Sequence, residues 1–76
     1  MSELNKIVEI LDLVIKHQAM PPQDISADSQ LYDEGLGLDS LCVAELSAML
    51  EKEYGKDPYT SGQMPQTVQD LVDFYA

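Results

Sequence analysis

The sequence contains no tryptophan and no arginine, and it has only one cysteine and one histidine. The single thiol, Cys42, cannot form an internal disulfide, which is typical of a reducing compartment, and we therefore expect a cytoplasmic protein. The lone histidine, His17, has no cysteine or second histidine near it in sequence. This argues against a metal site and against a catalytic base.

Positive charge is also scarce, because four lysines stand against fourteen acidic residues and the net charge is −10. Nucleic acid and anionic membrane surfaces require clustered positive charge, so they are excluded as partners. No apolar run is long enough to cross a bilayer, and the N-terminal residues lack the basic region and hydrophobic block of a signal peptide. The acidity serves either solubility alone or association with basic protein surfaces.

A length of 76 residues predicts one small domain, residues 1–76. Apolar residues recur at three- and four-residue steps in three stretches, which predicts an all-α fold. The first helix begins at an N-cap at Ser2 and ends at about His17, and the second covers residues 41–54, with Asp39 and Ser40 before it. The last helix has an N-cap at Thr67, with Asp70 in a capping-box relation to it. The predicted core consists of the residues on the apolar stripes: Leu4, Ile7, Leu11, Val14, Val43, Leu46, Leu50, Tyr54, Val68, Leu71 and Val72.

Two segments separate these helices. Residues 23–38 form a long loop, in which Leu31 and Leu36 are expected to anchor the chain on the bundle while Leu38 stays nearer the surface. Residues 56–65 are bracketed by Pro58 and Pro65 and leave room for at most one short helical turn. The sequence therefore predicts three clear helices, a possible short fourth and one long connection.

The segment from Gly35 to Tyr54 is the most informative part of the chain. Gly35 and Gly37 indicate a tight turn, and Asp39 and Ser40 then stand where a helix N-cap is expected. At a helix start the hydroxyl of Ser40 should face solvent, and unpaired amides and the helix dipole there favour an attached anion. A serine in this position is most often only a cap. Cys42, Glu45, Ala48, Glu51 and Lys52 are predicted to lie opposite the buried stripe of this helix.

The run Leu36-Gly37-Leu38-Asp39-Ser40-Leu41 resembles the attachment signature of acyl carrier proteins. The similarity continues through Glu45-Leu46, Leu50-Glu51 and Glu53-Tyr54-Gly55, and it reappears at residues 67–72. The resemblance implies a small four-helix bundle with a short third helix. Because the chain begins at Met1 and ends just past the last predicted helix, we expect a free-standing carrier. It also implies that Ser40 carries 4′-phosphopantetheine, transferred from coenzyme A by a phosphopantetheinyl transferase, and that acyl groups are held on its thiol as thioesters.

The chain has no set of residues that would do chemistry by itself, because Ser40 has no base evident in the sequence, and we expect a carrier rather than an enzyme. The resemblance places partner contacts on Asp39, Leu41, Glu45, Ala48 and Glu51. The implied partners are enzymes of fatty-acid, polyketide or related biosynthesis with basic docking surfaces, which bind a monomeric carrier without membrane insertion.

Two positions depart from the family pattern, since many housekeeping carriers of fatty-acid synthesis have acidic residues where this chain has Cys42 and Lys52. We therefore expect a carrier of a dedicated pathway. Two alternatives remain open at this point: a peptidyl or aminoacyl carrier, and a small acidic interaction module in which Ser40 is a cap and is never modified.

Overall fold

The structure, a computed structural model, describes residues 3–21, 23–32 and 35–75. These residues form three α-helices, α1 (Glu3–His17), α2 (Ser40–Tyr54) and α3 (Val68–Tyr75). Apart from one isolated antiparallel bridge between Gln30 and Thr67, the described residues form no strand pairing. The predicted all-α fold is confirmed, whereas the predicted cap at Ser2 lies outside the described residues.

Helix α1 ends where its sequence predicts, at His17, two residues before the chain takes a left-handed conformation at Ala19 (φ 57°). The amide of Ala19 donates to the carbonyl of Lys16, and the amide of Met20 donates to the carbonyl of Ile15 at 3.0 Å. These two hydrogen bonds satisfy carbonyls at the helix end that would otherwise lack partners. It stops the helix just before Pro21.

The core forms where the apolar stripes of the three helices meet. Most of the predicted core residues are buried, and Leu4, Val43, Tyr54 and Val72 pack against them while partly exposed. Ile10, which does not fit the predicted stripe of α1, is also buried. The fully buried residues of the predicted core are Ile7, Leu11, Val14, Leu46, Leu50, Val68 and Leu71.

The loop between α1 and α2 lies across the bundle and closes the start of α3. Leu31 and Leu36 are buried, as predicted. The carbonyls of Ser29 and Ala27 accept the amides of Val68 and Gln69 at 3.0 and 2.9 Å. Since the first amides of a helix have no partners within the helix, the loop supplies the acceptors that α3 needs.

Helix α3 is also capped by its own side chains. Thr67 Oγ1 accepts the amide of Asp70, and the Asp70 carboxylate accepts the amide of Thr67, both at 3.2 Å. This reciprocal pair confirms the predicted capping box.

The segment predicted to hold a short third helix forms a single turn at residues 58–62 and no helix. Asp57 is 1% exposed and organises this turn, because its carboxylate accepts the Ser47 hydroxyl at 2.6 Å and the Thr60 amide at 3.2 Å, as well as the Thr60 hydroxyl. The turn is thereby fixed to α2, which carries Ser47. The expected four-helix arrangement is therefore realised as three helices and one turn.

Candidate functional site

The chain enters α2 through a turn that requires glycine at two positions, for two different reasons. A Cβ at Gly35 would lie 2.0 Å from the carbonyl oxygen of Gln30, so no larger residue fits there without a backbone shift. Gly37 has a φ of 73°, which is unfavourable for residues with a side chain. The two glycines thus fix the path of the backbone into the helix.

The leucines that alternate with these glycines anchor the turn. The amide of Leu36 donates to the carbonyl of Gln30 at 2.8 Å, and the amide of Leu38 donates to the carbonyl of Leu31 at 3.0 Å. Leu36 and Leu38 are 3% and 6% exposed. The prediction that Leu38 stays near the surface is therefore wrong, because its side chain is the last anchor before the helix begins.

The N-cap of α2 is Asp39, whose side chain accepts the amide of Cys42 at 2.9 Å. This bond lowers the pKa of the Asp39 carboxyl below its ordinary value, since it favours the charged form. Ser40 is the first residue of the helix and is exposed. No hydrogen bond joins the Ser40 hydroxyl to another described residue, so the serine is presented to solvent without serving as the cap.

One side of α2 continues outward from Ser40 as an exposed stripe. Leu41 is 67% exposed, and Ala44, Ala48 and Glu51 follow it at helical steps and are all exposed. The predicted positions of Leu41, Ala48 and Glu51 on the outer face are confirmed. They lie on the same side of the helix as Ser40.

Glu45 is bound within the molecule and does not stand free on this stripe. Its carboxylate accepts hydrogen bonds from Nδ1 of His17 and, at 3.0 Å, from Nε2 of Gln18. The hydrogen bonds from His17, the last residue of α1, and from Gln18, the residue after it, lower the pKa of Glu45. The sequence analysis missed this contact, and the only sequence signal for it was a histidine in the last turn of a helix.

Cys42 is on the buried side of α2, 1% exposed, and not on the outer face where it was predicted. Its thiol lies 3.7 Å from the sulfur of Met20, and burial raises the pKa of the Cys42 thiol. A buried thiol with a raised pKa is a poor nucleophile. Cys42 is therefore a residue of the hydrophobic core, two positions after Ser40.

Other site types find no support in the part of the chain that the structure describes. Its histidine, cysteine and acidic residues form no group that could hold a metal ion. None of the helices α1 to α3 has the length and hydropathy needed to span a bilayer. The notable feature of the described chain is the exposed serine at the start of α2.

Comparison with known proteins gives consistent results. The family model for the phosphopantetheine attachment site matches residues 5–74. The chain is 32% identical to an acyl carrier protein of Rickettsia bellii (strain RML369-C) over 76 residues, which cover 97% of this chain and 87% of the relative. It is 30% identical to an acyl carrier protein of Campylobacter hominis over 67 residues, covering 87% of this chain and 84% of the relative. No solved structure matches at a significant level.

Proposed function

The chain belongs to the acyl carrier protein family, and on this premise we propose that Ser40 carries 4′-phosphopantetheine and holds acyl groups as thioesters for transfer between enzymes. The observation that supports Ser40 is that Asp39 caps α2 in its place. The serine hydroxyl is exposed and is not needed for helix capping. This argues against the alternative in which Ser40 is only a cap.

The residues around Ser40 fit a phosphodiester. A helix of 15 residues begins there, and the amides of its first turn together with the positive end of its dipole stabilise an attached anion. Gly37 is exposed and lacks a side chain that would crowd the attachment point. Asp39 remains available as a carboxylate for the docking or the metal ion of a transferase, since its cap bond uses one oxygen, Oδ1.

In this proposal the chain positions a nucleophile and does not activate it. Ser40 Oγ attacks the phosphorus of coenzyme A that carries the pantetheine and forms a new bond to it. The bond from this phosphorus to the remainder of coenzyme A breaks, so that 3′,5′-ADP leaves, and the hydroxyl proton passes to a base of the transferase. A base from the partner is required because no described residue bonds the Ser40 hydroxyl. When attached, the group supplies a thiol at the end of a long arm. The chain itself is a carrier and not an enzyme.

We further propose a monomeric, cytoplasmic carrier whose single domain spans residues 1–76 and which serves fatty-acid, polyketide or related biosynthesis. Lys52 supports a dedicated pathway over bulk fatty-acid synthesis, because it is exposed and replaces an acidic residue of many housekeeping carriers, whereas Cys42 is buried and does not contribute to the surface that partners meet. A reconstituted elongation assay tests this point. Equal rates with this chain and with a housekeeping carrier would contradict it.

The attachment site itself is tested by intact mass after incubation with coenzyme A, magnesium and a broad-specificity phosphopantetheinyl transferase. The wild type should gain one phosphopantetheine, and Ser40→Ala should gain none. Ser61→Ala is the matched control, because Ser61 is also exposed, and it should load as the wild type does. An unmodified wild type would support the interaction module instead, and preferential loading by aminoacyl donors would support the peptidyl carrier.

A further inference from the structure

We propose that Glu45 is withheld from the partner-binding surface of α2 by its contacts with His17 and Gln18, so that partner enzymes pair instead with Asp39 and Glu51, the carboxylates at the two ends of an exposed apolar stripe. The inference rests on the proposed function, since it concerns the enzymes that attach and use the arm on Ser40. The set of carboxylates that we expect these enzymes to recognise is thereby reduced from Asp39, Glu45 and Glu51 to Asp39 and Glu51. Sequence resemblance alone would count Glu45 among the docking residues.

The exclusion of Glu45 follows from its contacts. Its side chain is 23% exposed, and both of its oxygens accept hydrogen bonds, one from Nδ1 of His17, the last residue of α1, and one from Nε2 of Gln18, the residue that follows. A basic residue of a partner would have to displace these donors before it could pair with the carboxylate. Exchanging one hydrogen-bonded partner for another gives little net gain. We therefore assign Glu45 to the packing of α1 against α2.

The remaining surface has a simple chemical pattern. Leu41, Ala44 and Ala48 form an exposed apolar strip without a charge, and Glu51 closes it at the far end. Asp39 and Glu51 are twelve residues apart, which corresponds to about 18 Å along a helix at about 1.5 Å per residue.

Lys52 limits where a partner's cation can sit. It is exposed directly beside Glu51 and would repel a cation that approached from its own side. The partner that fits this surface has a shallow apolar patch for Leu41 and two basic groups about 18 Å apart. Its second basic group must reach Glu51 from the side of the stripe.

Glu45→Gln and Glu51→Gln form a matched pair for testing this, because both remove one negative charge from the same helix at almost constant shape. The measurement is kcat/KM for arm transfer from coenzyme A by a broad-specificity transferase, at low and high salt. Glu51→Gln should reduce kcat/KM by about two- to fivefold at low salt and much less at high salt, as expected for a peripheral charge pair. Glu45→Gln should stay within about twofold of the wild type at either salt concentration.

Stability gives the complementary measurement. Glu45→Gln and His17→Ala should each lower the Tm by about 2–6 °C, because each weakens the contact between α1 and α2, whereas Glu51→Gln should leave it unchanged. His17→Ala should not reduce kcat/KM, since it frees the Glu45 carboxylate. Equal losses of transfer for the two glutamate variants, or no loss for Glu51→Gln, would overturn the inference. In either case a wild type that gains the arm on Ser40 would leave the proposed function intact.

Discussion

Removal of the buried carboxylate of Asp57 should destabilise the protein more than any exposed charge change. Asp57 accepts the hydroxyl of Ser47 on α2 and both the amide and the hydroxyl of Thr60 in the following turn. In Asp57→Ala all three donors lose a charged acceptor, and the turn at residues 58–62 loses its connection to α2. We expect partial unfolding of this turn and a weaker native state.

The size of the effect follows from the individual bonds. Hydrogen bonds to charged groups contribute about 1.5–3 kcal/mol each, but the exposed Thr60 regains water when the acceptor is removed, and the cost of burying a carboxylate disappears. We therefore expect a loss of about 3 kcal/mol for Asp57→Ala. Asp57→Asn should cost about 1–2 kcal/mol, because its amide keeps the shape and loses the charge. At about 0.05–0.15 kcal/mol per residue, the whole chain has about 4–11 kcal/mol to lose.

Urea unfolding followed by helical circular dichroism measures this loss. At an m-value of about 1 kcal/mol/M, Asp57→Ala should move the midpoint down by about 3 M. Asp73→Ala is the control, because Asp73 is exposed and accepts one bond, from Gln69 at 2.8 Å. It should change stability by no more than about 0.5 kcal/mol.

The dependence on pH gives an independent check on the same residue. Burial alone raises the pKa of Asp57, but the bonds from Ser47 and Thr60 outweigh it and lower the pKa below 3.8. A depressed pKa in the folded state means that the carboxylate stabilises the protein above about pH 4, and that this contribution is lost as the pH falls through the folded-state value. The difference between wild type and Asp57→Asn should therefore shrink in acid. A variant as stable as the wild type, or a difference that does not change with pH, would refute this reasoning.

Three further substitutions test the local structure. Gly35→Ala should lower the free energy of unfolding by more than about 2 kcal/mol, because the new Cβ would collide with the carbonyl of Gln30. Gly62 has a φ of 86° but open space around it, so Gly62→Ala should lower it by only about 1 kcal/mol. Equal losses of the two variants in urea unfolding would contradict this reasoning. Thr67→Ala removes the hydroxyl that accepts the Asp70 amide and should cost about 1 kcal/mol, measured in the same way, and a loss near zero would show that the loop carbonyls suffice to cap α3.

The sequence was sufficient to predict the features that arise within one helix. The start of α2 beside Ser40, its end at Gly55 (φ 82°) and the capping box of Thr67 and Asp70 all appear as predicted, because each depends on residues within about four positions. Ser40 was identified as a candidate attachment residue through the resemblance of residues 36–41 to the signature of acyl carrier proteins, since the local pattern alone indicated only a cap.

Two features that depend on contacts between distant segments were not predicted. Cys42 was assigned to the outer face because it departs from the main apolar stripe, yet the loop from α1 brings Met20 over it. Glu45 was treated as free because its partner His17 lies 28 residues away. Helical periodicity describes one helix at a time, so it contains no information on which neighbour covers its edges.

The hydrogen bonds from the amides of Val68 and Gln69 to the carbonyls of Ser29 and Ala27 have a consequence for folding during synthesis. An eight-residue helix is too short to persist alone, so α3 acquires its order only on a loop translated some forty residues earlier. During synthesis the loop, which leads into α2, lacks its hydrogen bonds to residues 66–69 until those residues have left the ribosome. The loop that precedes Ser40 therefore has its full set of hydrogen bonds only in a chain that extends through α3.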